Sequence, residues 1–192
     1  MEGLSSSFIN MTNVFEKHRD KLAGVWTLIS WEMYDSEGPE GKLVSRPHGD
    51  KPLGKVVISQ SGYLSAILVT PSCLTPPLPS DDWSQASDED VLRIGRNLTT
   101  YGGPMDVHER ENGELLWHTT VEIAHNPNWI GKQQTRLAKY SEEDGVLYMT
   151  LRPVKPYVHK DGTKTWGVLK WKKVGTVEDD DDVPDIIPAG DG

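Results

Sequence analysis

The stretch NGELLWHTTVEIAHNPNWIGKQQTRLAKYSEEDGVLYMTLR, residues 112–152, decides the fold. Near its two ends lie Asn112-Gly113 and Asp144-Gly145, dipeptides that favour tight hairpin turns between antiparallel strands. The segments beside these turns have the length of strands and are rich in β-branched and aromatic residues. The stretch therefore predicts consecutive antiparallel strands over 114–124, 132–141 and 146–152.

The same signals continue on both sides of this stretch. Seven tryptophans and six tyrosines, against two phenylalanines, favour strands. Asp161-Gly162 and Ser61-Gly62 mark further hairpins. Eight strands are predicted in total: 24–34, 54–60, 62–70, 105–111, 114–124, 132–141, 146–152 and 164–174. Eight meandering antiparallel strands usually close into a barrel, because closure removes exposed edges, and such a barrel has room for side chains or one small ligand.

Two helices are predicted beside the strands. Residues 8–21 carry an apolar stripe at helical spacing. Ser87 begins the second helix, with acidic residues in its first turn, and Gly102-Gly103 ends it. The proline-rich loop 71–82 cannot be regular structure, and we expect it to lie across an opening as a lid.

Composition excludes several classes of protein. The hydrophobic fraction of 36% and mean hydropathy of −0.52 indicate a soluble chain without membrane contact. Seven acidic residues follow Lys173 and no basic residue does, so the net charge of −9 falls to −2 without them. We therefore expect a helical segment at 1–21, a barrel domain at 22–174 and a disordered acidic tail at 175–192. No basic stripe for nucleic acid is visible.

The cysteine count and the first residues bear on location. One cysteine, Cys73, excludes an internal disulfide and a multi-cysteine metal site. The N-terminal segment does not have the pattern of a secretory signal. A reducing, cytoplasmic compartment is the prediction.

The alternation along the strands suggests what lies inside the barrel. His118, Thr120 and Glu122 share one face of their strand, and Gln134 and Arg136 share one face of the next. No face is wholly apolar, which suits a lumen with some polar groups among aromatics. If these polar residues point inward, Glu122 pairs with Arg136, because buried charges need partners, and His118 is a titratable neighbour. The alternative is that this face is solvated and carries surface pairs.

Motifs for metals and nucleotide cofactors are missing. The six histidines show no H-E-x-x-H spacing, and no G-x-G-x-x-G is found. Cys73 lies between prolines with no evident base nearby. We therefore expect no metal and no cofactor.

Several segments resemble the lipocalin-like domain family of bacterial and fungal proteins. Gly24-Val25-Trp26 resembles the G-x-W signature, whose tryptophan closes one end of the barrel in lipocalins. The similarity covers about residues 20–174 in ordered blocks: LAGVWTLISWE (22–32), PLGKVVIS (52–59), GYLSA (62–66), SDEDVL (87–92) leading to Tyr101-Gly102, WHTTVEI (117–123) and PNWIG (127–131), with Gln134 and Arg136. The fold class that this implies is all-β, an eight-stranded antiparallel lipocalin-like barrel with an N-terminal helix and one inserted helix.

The resemblance also implies a range of functions. Fungal members occur in secondary-metabolite pathways, and some related lipocalin-fold proteins act there without a cofactor as cyclases or isomerases, including Diels–Alder-type pericyclases. We therefore expect an isomerase or cyclase that acts on a small hydrophobic substrate, polyketide- or terpenoid-like.

Candidate site residues follow from the barrel hypothesis. A barrel could hold the reacting ends of a flexible substrate together, while an arginine or tyrosine polarises a carbonyl and a histidine moves a proton. The candidate catalytic residues are His118, Arg136, Glu122 and Tyr101. The candidate substrate-binding residues are Trp31, Tyr63, Gln134, Trp129, Met33 and Thr120.

Each candidate has a structural alternative, and so does the function. Trp129 could plug the barrel end, Tyr63 could belong to the wall, Tyr101 could only pack, and Glu122 with Arg136 could be a structural pair. The main functional alternative is a non-catalytic carrier of a hydrophobic metabolite. A module acting through the acidic tail and a hydrolase using His118 and Glu122 are weaker alternatives. The oligomeric state stays open, a homodimer included.

Overall fold

Eight antiparallel strands close into a barrel in the computed structural model, which describes residues 12–37 and 40–175. The elements in chain order are α1 (Phe15–Leu22), β1 (Gly24–Tyr34), β2 (Leu43–Ser45), β3 (Leu53–Ile58), β4 (Tyr63–Val69), α2 (Asp88–Gly95), β5 (Leu98–Glu109), β6 (Leu115–Thr120), β7 (Ile123–Ala124), β8 (Gln133–Glu143), β9 (Val146–Pro153), β10 (Tyr157–Val158) and β11 (Lys164–Lys173). The order around the barrel is β1-β3-β4-β5-β6-β8-β9-β11, and β11 pairs with β1 to close it. The predicted fold class is confirmed.

Tight turns connect several pairs of successive antiparallel strands. Asp144 and Gly145 both have positive φ, 52° and 78°, which is the backbone that a two-residue hairpin requires. The predicted hairpins at Ser61-Gly62, Asn112-Gly113 and Asp161-Gly162 are also present, each with its glycine at positive φ. Local turn chemistry therefore sets the antiparallel order of these strands.

The N-terminal helix begins later than predicted. It runs over Phe15–Leu22, while residues 8–11 of the prediction lie outside the described residues. The Asn13 side chain precedes it, accepting hydrogen bonds from the backbone N–H groups of Phe15 and Val107 at 3.0 Å each. Asn13 thus fixes the chain on β5 just before the helix starts. The predicted acidic tail lies outside the described residues.

The inserted helix begins as predicted but ends earlier. The Ser87 hydroxyl accepts from the Asp90 N–H at 3.2 Å, and the helix ends at Gly95. The prediction that Gly102-Gly103 ends it is wrong, because both glycines lie within β5. A Cβ on Gly103 would lie 1.9 Å from the Thr120 carbonyl oxygen, so glycine permits the close approach of two chain segments here.

The predicted strand 114–124 is interrupted. β6 ends at Thr120, and the short β7 pairs with β5 beyond the break. At the break the Val121 N–H bonds to the Lys132 carbonyl and the Glu122 N–H bonds to the Gly102 carbonyl. Val121 is consequently buried, whereas Glu122 is exposed.

The two ends of the barrel are built differently. We call the end with the hairpins at 59–62, 110–114 and 143–146 the plugged end, because α1 and Trp26 fill it. We call the other the open end, where the longer connections 35–52, 70–97, 121–132 and 154–163 lie.

Trp26 is the centre of the plugged end. It is fully buried, and its indole N–H donates to the Leu22 carbonyl at 2.9 Å. The Lys173 ammonium lies 5.7 Å from the Trp26 ring centroid and donates to the carbonyls of Asp20 and Lys21 at the end of α1. One helix and two strands are therefore joined at this tryptophan.

Candidate functional site

A cavity of about 390 Å³ lies inside the barrel toward the open end. Its volume falls in the range of small-molecule sites. Aliphatic side chains and the aromatic rings of Trp31, Trp117, Trp129 and Trp171 form most of its wall. The polar groups in the lining are the side chains of Thr99, Tyr101, His125, Gln134, Arg136 and Tyr157. Among the residues that the structure describes, no aspartate or glutamate belongs to this lining.

Arg136 lies on β8 with its side chain in the cavity wall. Trp117 pairs with Arg136 and Thr119 pairs with Gln134, so these four side chains share the inner face of the barrel. The guanidinium donates to the Thr135 carbonyl at 2.8 Å and to Gln134 Oε1 at 3.3 Å. Within the part of the chain that the structure describes, it makes no ion pair with a carboxylate. The expected Glu122–Arg136 pair is therefore absent.

Tyr101 contributes a hydroxyl to the same cavity. It lies on β5, and its ring packs edge-to-face against Trp129 with 5.9 Å between the centroids. Burial raises the pKa of Tyr101; the positive charge of Arg136 opposes this rise and Tyr157 adds to it. The Tyr101 side chain is consequently a neutral hydrogen-bond donor at neutral pH.

Trp31 reaches the cavity because β1 is irregular. The pairing of β1 with β11 shifts between Leu28 and Ser30, which places Trp31 on the same side of the sheet as Leu28. Its ring packs against the buried His48 at 4.7 Å. Burial lowers the pKa of His48, while a hydrogen bond with the Val69 backbone partly opposes the fall.

Met33 lies near the cavity without lining it. It is buried, and its sulfur is 3.4 Å from the position that a Cβ on Gly167 would occupy. The structure therefore places five of the candidates in the cavity wall and Met33 outside the lining: the five are Trp31, Trp129, Gln134, Arg136 and Tyr101.

His118 points away from the cavity, in contrast to the expectation that it faces inward. It pairs with Thr135, one residue out of step with the inward pairs Trp117–Arg136 and Thr119–Gln134. Its Nδ1 lies 2.8 Å from the Thr135 hydroxyl, and its ring lies 5.5 Å from that of His108. Burial lowers the pKa of His118, and His108 lowers it further against a small opposing effect of Asp106.

Glu122, Tyr63 and Thr120 also lie on the outer face, where the sequence predicted inward positions. Tyr63 alternates with the buried Leu64 on β4 and is 38% exposed. A hydrogen bond with Glu122 raises the pKa of the Tyr63 hydroxyl. Thr120 alternates with the fully buried Thr119 at the end of β6. These three residues therefore belong to the outer wall.

Three polar residues of the cavity were not predicted from the sequence: Thr99 at the start of β5, His125 and Tyr157. His125 follows the break after β6 and packs against Trp129 with 5.0 Å between ring centroids. Its Nδ1 lies 3.1 Å from both the backbone N and O of Thr100, and its Nε2 has no hydrogen-bond partner among the described residues. Tyr157 comes from β10, a strand of two residues. For His125 the only signal in the sequence is the neighbouring Trp129 in Asn-Pro-Asn-Trp. No signal marks Tyr157.

Other features of the described residues carry no site. Among residues 12–37 and 40–175, no group of three or more His, Cys, Asp and Glu side chains is placed to hold a metal ion. Cys73 is buried, and burial raises the pKa of its thiol, so its reactive thiolate form is disfavoured. No residue of the predicted lid 71–82 lines the cavity; Arg93 of α2 holds this loop through the carbonyls of Cys73 and Pro76. Over the same residues, no helix has the length and hydrophobicity to cross a membrane.

Comparison with known families agrees with this architecture. The family model described as a lipocalin-like domain matches residues 23–174, about four fifths of the chain. The match begins just before β1 and ends just after β11, so it covers the whole barrel and leaves α1 outside. No curated protein matches the chain.

Proposed function

This chain belongs to the lipocalin-like domain family, whose barrel fold can bind small hydrophobic ligands, and we propose that it isomerises or cyclises one such ligand without a cofactor. The proposed substrate is a natural-product intermediate of polyketide or terpenoid type. Such a reaction rearranges bonds within one molecule, so no atoms or electrons enter or leave. A co-reactant is therefore not needed.

One observation supports this proposal above the others. The Arg136 guanidinium stands in the wall of a largely aromatic cavity without a carboxylate partner among the described residues. A charged group in such surroundings is costly unless something compensates it. An oxygen of a bound substrate is well suited to do so, and the same contact would stabilise negative charge that develops on that oxygen during reaction.

The cavity supplies shape as well as polarity. Trp31, Trp117 and Trp171 approach from different strands and surround a volume that fits one small molecule. Enclosure by rigid rings holds a flexible substrate in a folded conformer and lowers the entropic part of the barrier. Arg136 and Tyr101 donate hydrogen bonds to an oxygen of the substrate. The cavity thus combines orientation with polarisation.

Proton transfer, where the reaction needs it, is assigned to His125. The sequence suggested His118 for this role, but His118 lies on the outer face, whereas His125 lines the cavity. Its Nδ1 lies near the backbone of Thr100, and its Nε2 is left for a substrate proton. An imidazole is suited to this task near neutral pH.

A non-catalytic carrier is the second candidate. It is favoured by the outward positions of His118 and Glu122, because these leave the cavity with few groups that can transfer a proton. A carrier would need only the aromatic wall and the Arg136 contact. Binding without turnover is its signature.

Incubation with defined substrates separates the two candidates. The purified protein is mixed with an excess of linear polyene and polyketone compounds that cyclise slowly on their own, and the product is followed over time by chromatography. An enzyme forms product faster than the spontaneous reaction and completes more than one turnover per barrel. A carrier slows the reaction or binds one equivalent without product, and that result would overturn catalysis.

The matched controls are two arginine variants. Arg136→Gln removes the charge in the cavity, whereas Arg110→Gln removes an arginine from the turn at the plugged end, where it pairs with Glu114. We expect the first to lower the rate by about a hundredfold, as loss of a preorganised donor does, and the second to leave it unchanged. Equal rates in both variants would contradict the role of Arg136.

A further inference from the structure

Arg136 differs from most other arginines of the molecule in what its guanidinium contacts. Ion pairs with carboxylates are formed by Arg19, Arg46, Arg93, Arg110 and Arg152. Among the described arginines only Arg96 and Arg136 lack such a pair, and Arg96 is exposed at the end of α2. Arg136 is therefore the one that is half-buried in a cavity wall with an uncompensated charge.

Most of the hydrogen-bonding capacity of this guanidinium is unused. It has five N–H donors in a planar fork, and two contacts are made, to the Thr135 carbonyl and to Gln134 Oε1. The contact with Arg136 also fixes the orientation of the Gln134 side-chain amide. Since a guanidinium only donates, the Gln134 oxygen faces Arg136 and the amide NH₂ is left as a further donor.

The neighbouring polar groups are also suited to donate. The hydroxyls of Tyr101 and Tyr157 lie in the same lining and interact electrostatically with each other, and Tyr101 interacts with Arg136. Over residues 12–37 and 40–175, the lining carries no carboxylate that could neutralise the arginine. The polar part of the cavity therefore offers several donors and one fixed positive charge.

We infer that the cavity takes a small apolar molecule bearing a carboxylate, which docks on Arg136 and the Gln134 amide. This inference rests on the proposed binding function and names the substrate class more closely. A carboxylate is planar and presents two oxygens, so it matches the guanidinium fork in a bidentate contact. One negative charge balances the one positive charge of the lining. The aromatic and aliphatic wall takes up the remainder of the molecule.

The charge of the cavity lining also disfavours a phosphate monoester as the ligand. A phosphate monoester carries nearly two negative charges at neutral pH, and the described part of the lining offers one fixed positive charge to receive them. The excess charge would be placed against tryptophan rings and aliphatic side chains, where it is costly. A monocarboxylate leaves no such excess.

Calorimetric titration with a matched pair of ligands tests the inference. 2-Naphthoate and 2-naphthamide have the same apolar body and nearly the same shape, but only the first is charged. We expect the full-length protein to bind 2-naphthoate at least about tenfold more tightly than 2-naphthamide, the effect of a charge-assisted contact in a partly buried site. This comparison uses the unaltered protein and does not depend on the folding of a variant.

Arginine variants assign the preference to one residue. Arg136→Gln is expected to bind both ligands alike, Arg136→Lys to retain a part of the preference, and Arg110→Gln to retain all of it. Binding of 2-naphthamide by the Arg136→Gln variant shows that its barrel is intact. A preference that persists in Arg136→Gln overturns the assignment to Arg136.

The remaining outcomes distinguish a failure of the carboxylate inference from a failure of the proposed binding function. If both ligands bind the unaltered protein equally, the carboxylate inference is overturned while the small-molecule cavity stands. If neither ligand binds at millimolar concentration, both the inference and the proposed binding function fail.

Discussion

The plugged end and the open end of the barrel use tryptophan from the same strand in opposite ways. Trp26 at the plugged end is fully buried, and its indole N–H is bonded to the Leu22 carbonyl. Trp31, five residues later, is only partly buried and lines the cavity with its face against His48. The irregularity between Leu28 and Ser30 lies between them. One strand thus contributes to packing at one end and to ligand space at the other.

The difference shows how a barrel separates stability from function. At the plugged end short hairpins and α1 pack around the fully buried Trp26. At the open end Arg136 of β8 and His125 of the connection 121–132 stand in the wall of a cavity. Changes at the plugged end should therefore reduce stability most, and changes at the open end should reduce binding most.

The largest expected effect is the loss of Trp26. Trp26→Ala removes a fully buried indole, its hydrogen bond and its contact with Lys173, so we expect the free energy of unfolding to fall by about 4 kcal/mol. Urea denaturation followed by circular dichroism measures this loss. A fall below about 1 kcal/mol, the size typical of an average substitution, would show that the plugged end is not the stable part of the barrel.

Gly103→Ala tests the wall between the two ends. The added methyl group would lie 1.9 Å from the Thr120 carbonyl oxygen, so β5 and β6 must move apart, and we expect a loss of about 3 kcal/mol in unfolding free energy. Gly95→Ala is the matched control, because a Cβ there meets nothing within 4 Å and alanine favours the helix. Thermal unfolding of the two variants should differ clearly; equal midpoints would contradict the close approach.

Trp129→Ala is the counterpart of the first variant at the open end. Trp129 is partly buried and packs on Tyr101 and His125, so its loss should cost only about 1 kcal/mol of stability. Binding of 2-naphthoate should weaken severalfold, because the ring forms part of the cavity wall. Titration calorimetry and urea denaturation on the same sample separate the two effects. Unchanged binding would remove Trp129 from the site.

The smallest expected effect is a pH dependence at the open end. Because burial lowers the pKa of His48 below its unfolded value of about 6.5, the unfolded state binds more protons there. The stabilising contribution of neutral His48 is therefore complete above about pH 6.5 and is lost as the pH falls toward its lower folded pKa. The variant His48→Gln should show a smaller loss of stability between pH 7 and pH 5 in urea denaturation. Parallel pH profiles of the two proteins would contradict this role.

The fold could be predicted from the sequence because the decisive signals are local. The dipeptides Asn112-Gly113 and Asp144-Gly145 set hairpins, and Ser87 with the acidic residues after it sets the start of α2. The closed barrel followed from the count of eight meandering strands, and the resemblance in ordered blocks implied the same fold. Such signals lie within a few residues of the elements that they form.

The candidate site was predicted only in part because it depends on register between strands. Alternation separates Trp117 from His118, but it does not say which of them faces inward. The register between β6 and β8, in which Trp117 pairs with Arg136, decides which residue faces inward. The long connection 121–132 between these strands carries no local signal for that register. The irregularity in β1 between Leu28 and Ser30 likewise changes which alternate residues of the strand face inward. Arg136, Gln134 and Tyr101 were predicted, while Thr99, His125 and Tyr157 were not.

The contact of Lys173 with the end of α1 has a consequence for biosynthesis. β1 meets β3 soon after it emerges from the ribosome, but its other neighbour is β11, about 140 residues later in the chain. Until β11 has been translated, β1 and β9 each present an unpaired edge, which is a hazard for association between nascent chains. The last strand then secures both the barrel seam and the N-terminal helix in a single step, since Lys173 bonds to the carbonyls of Asp20 and Lys21.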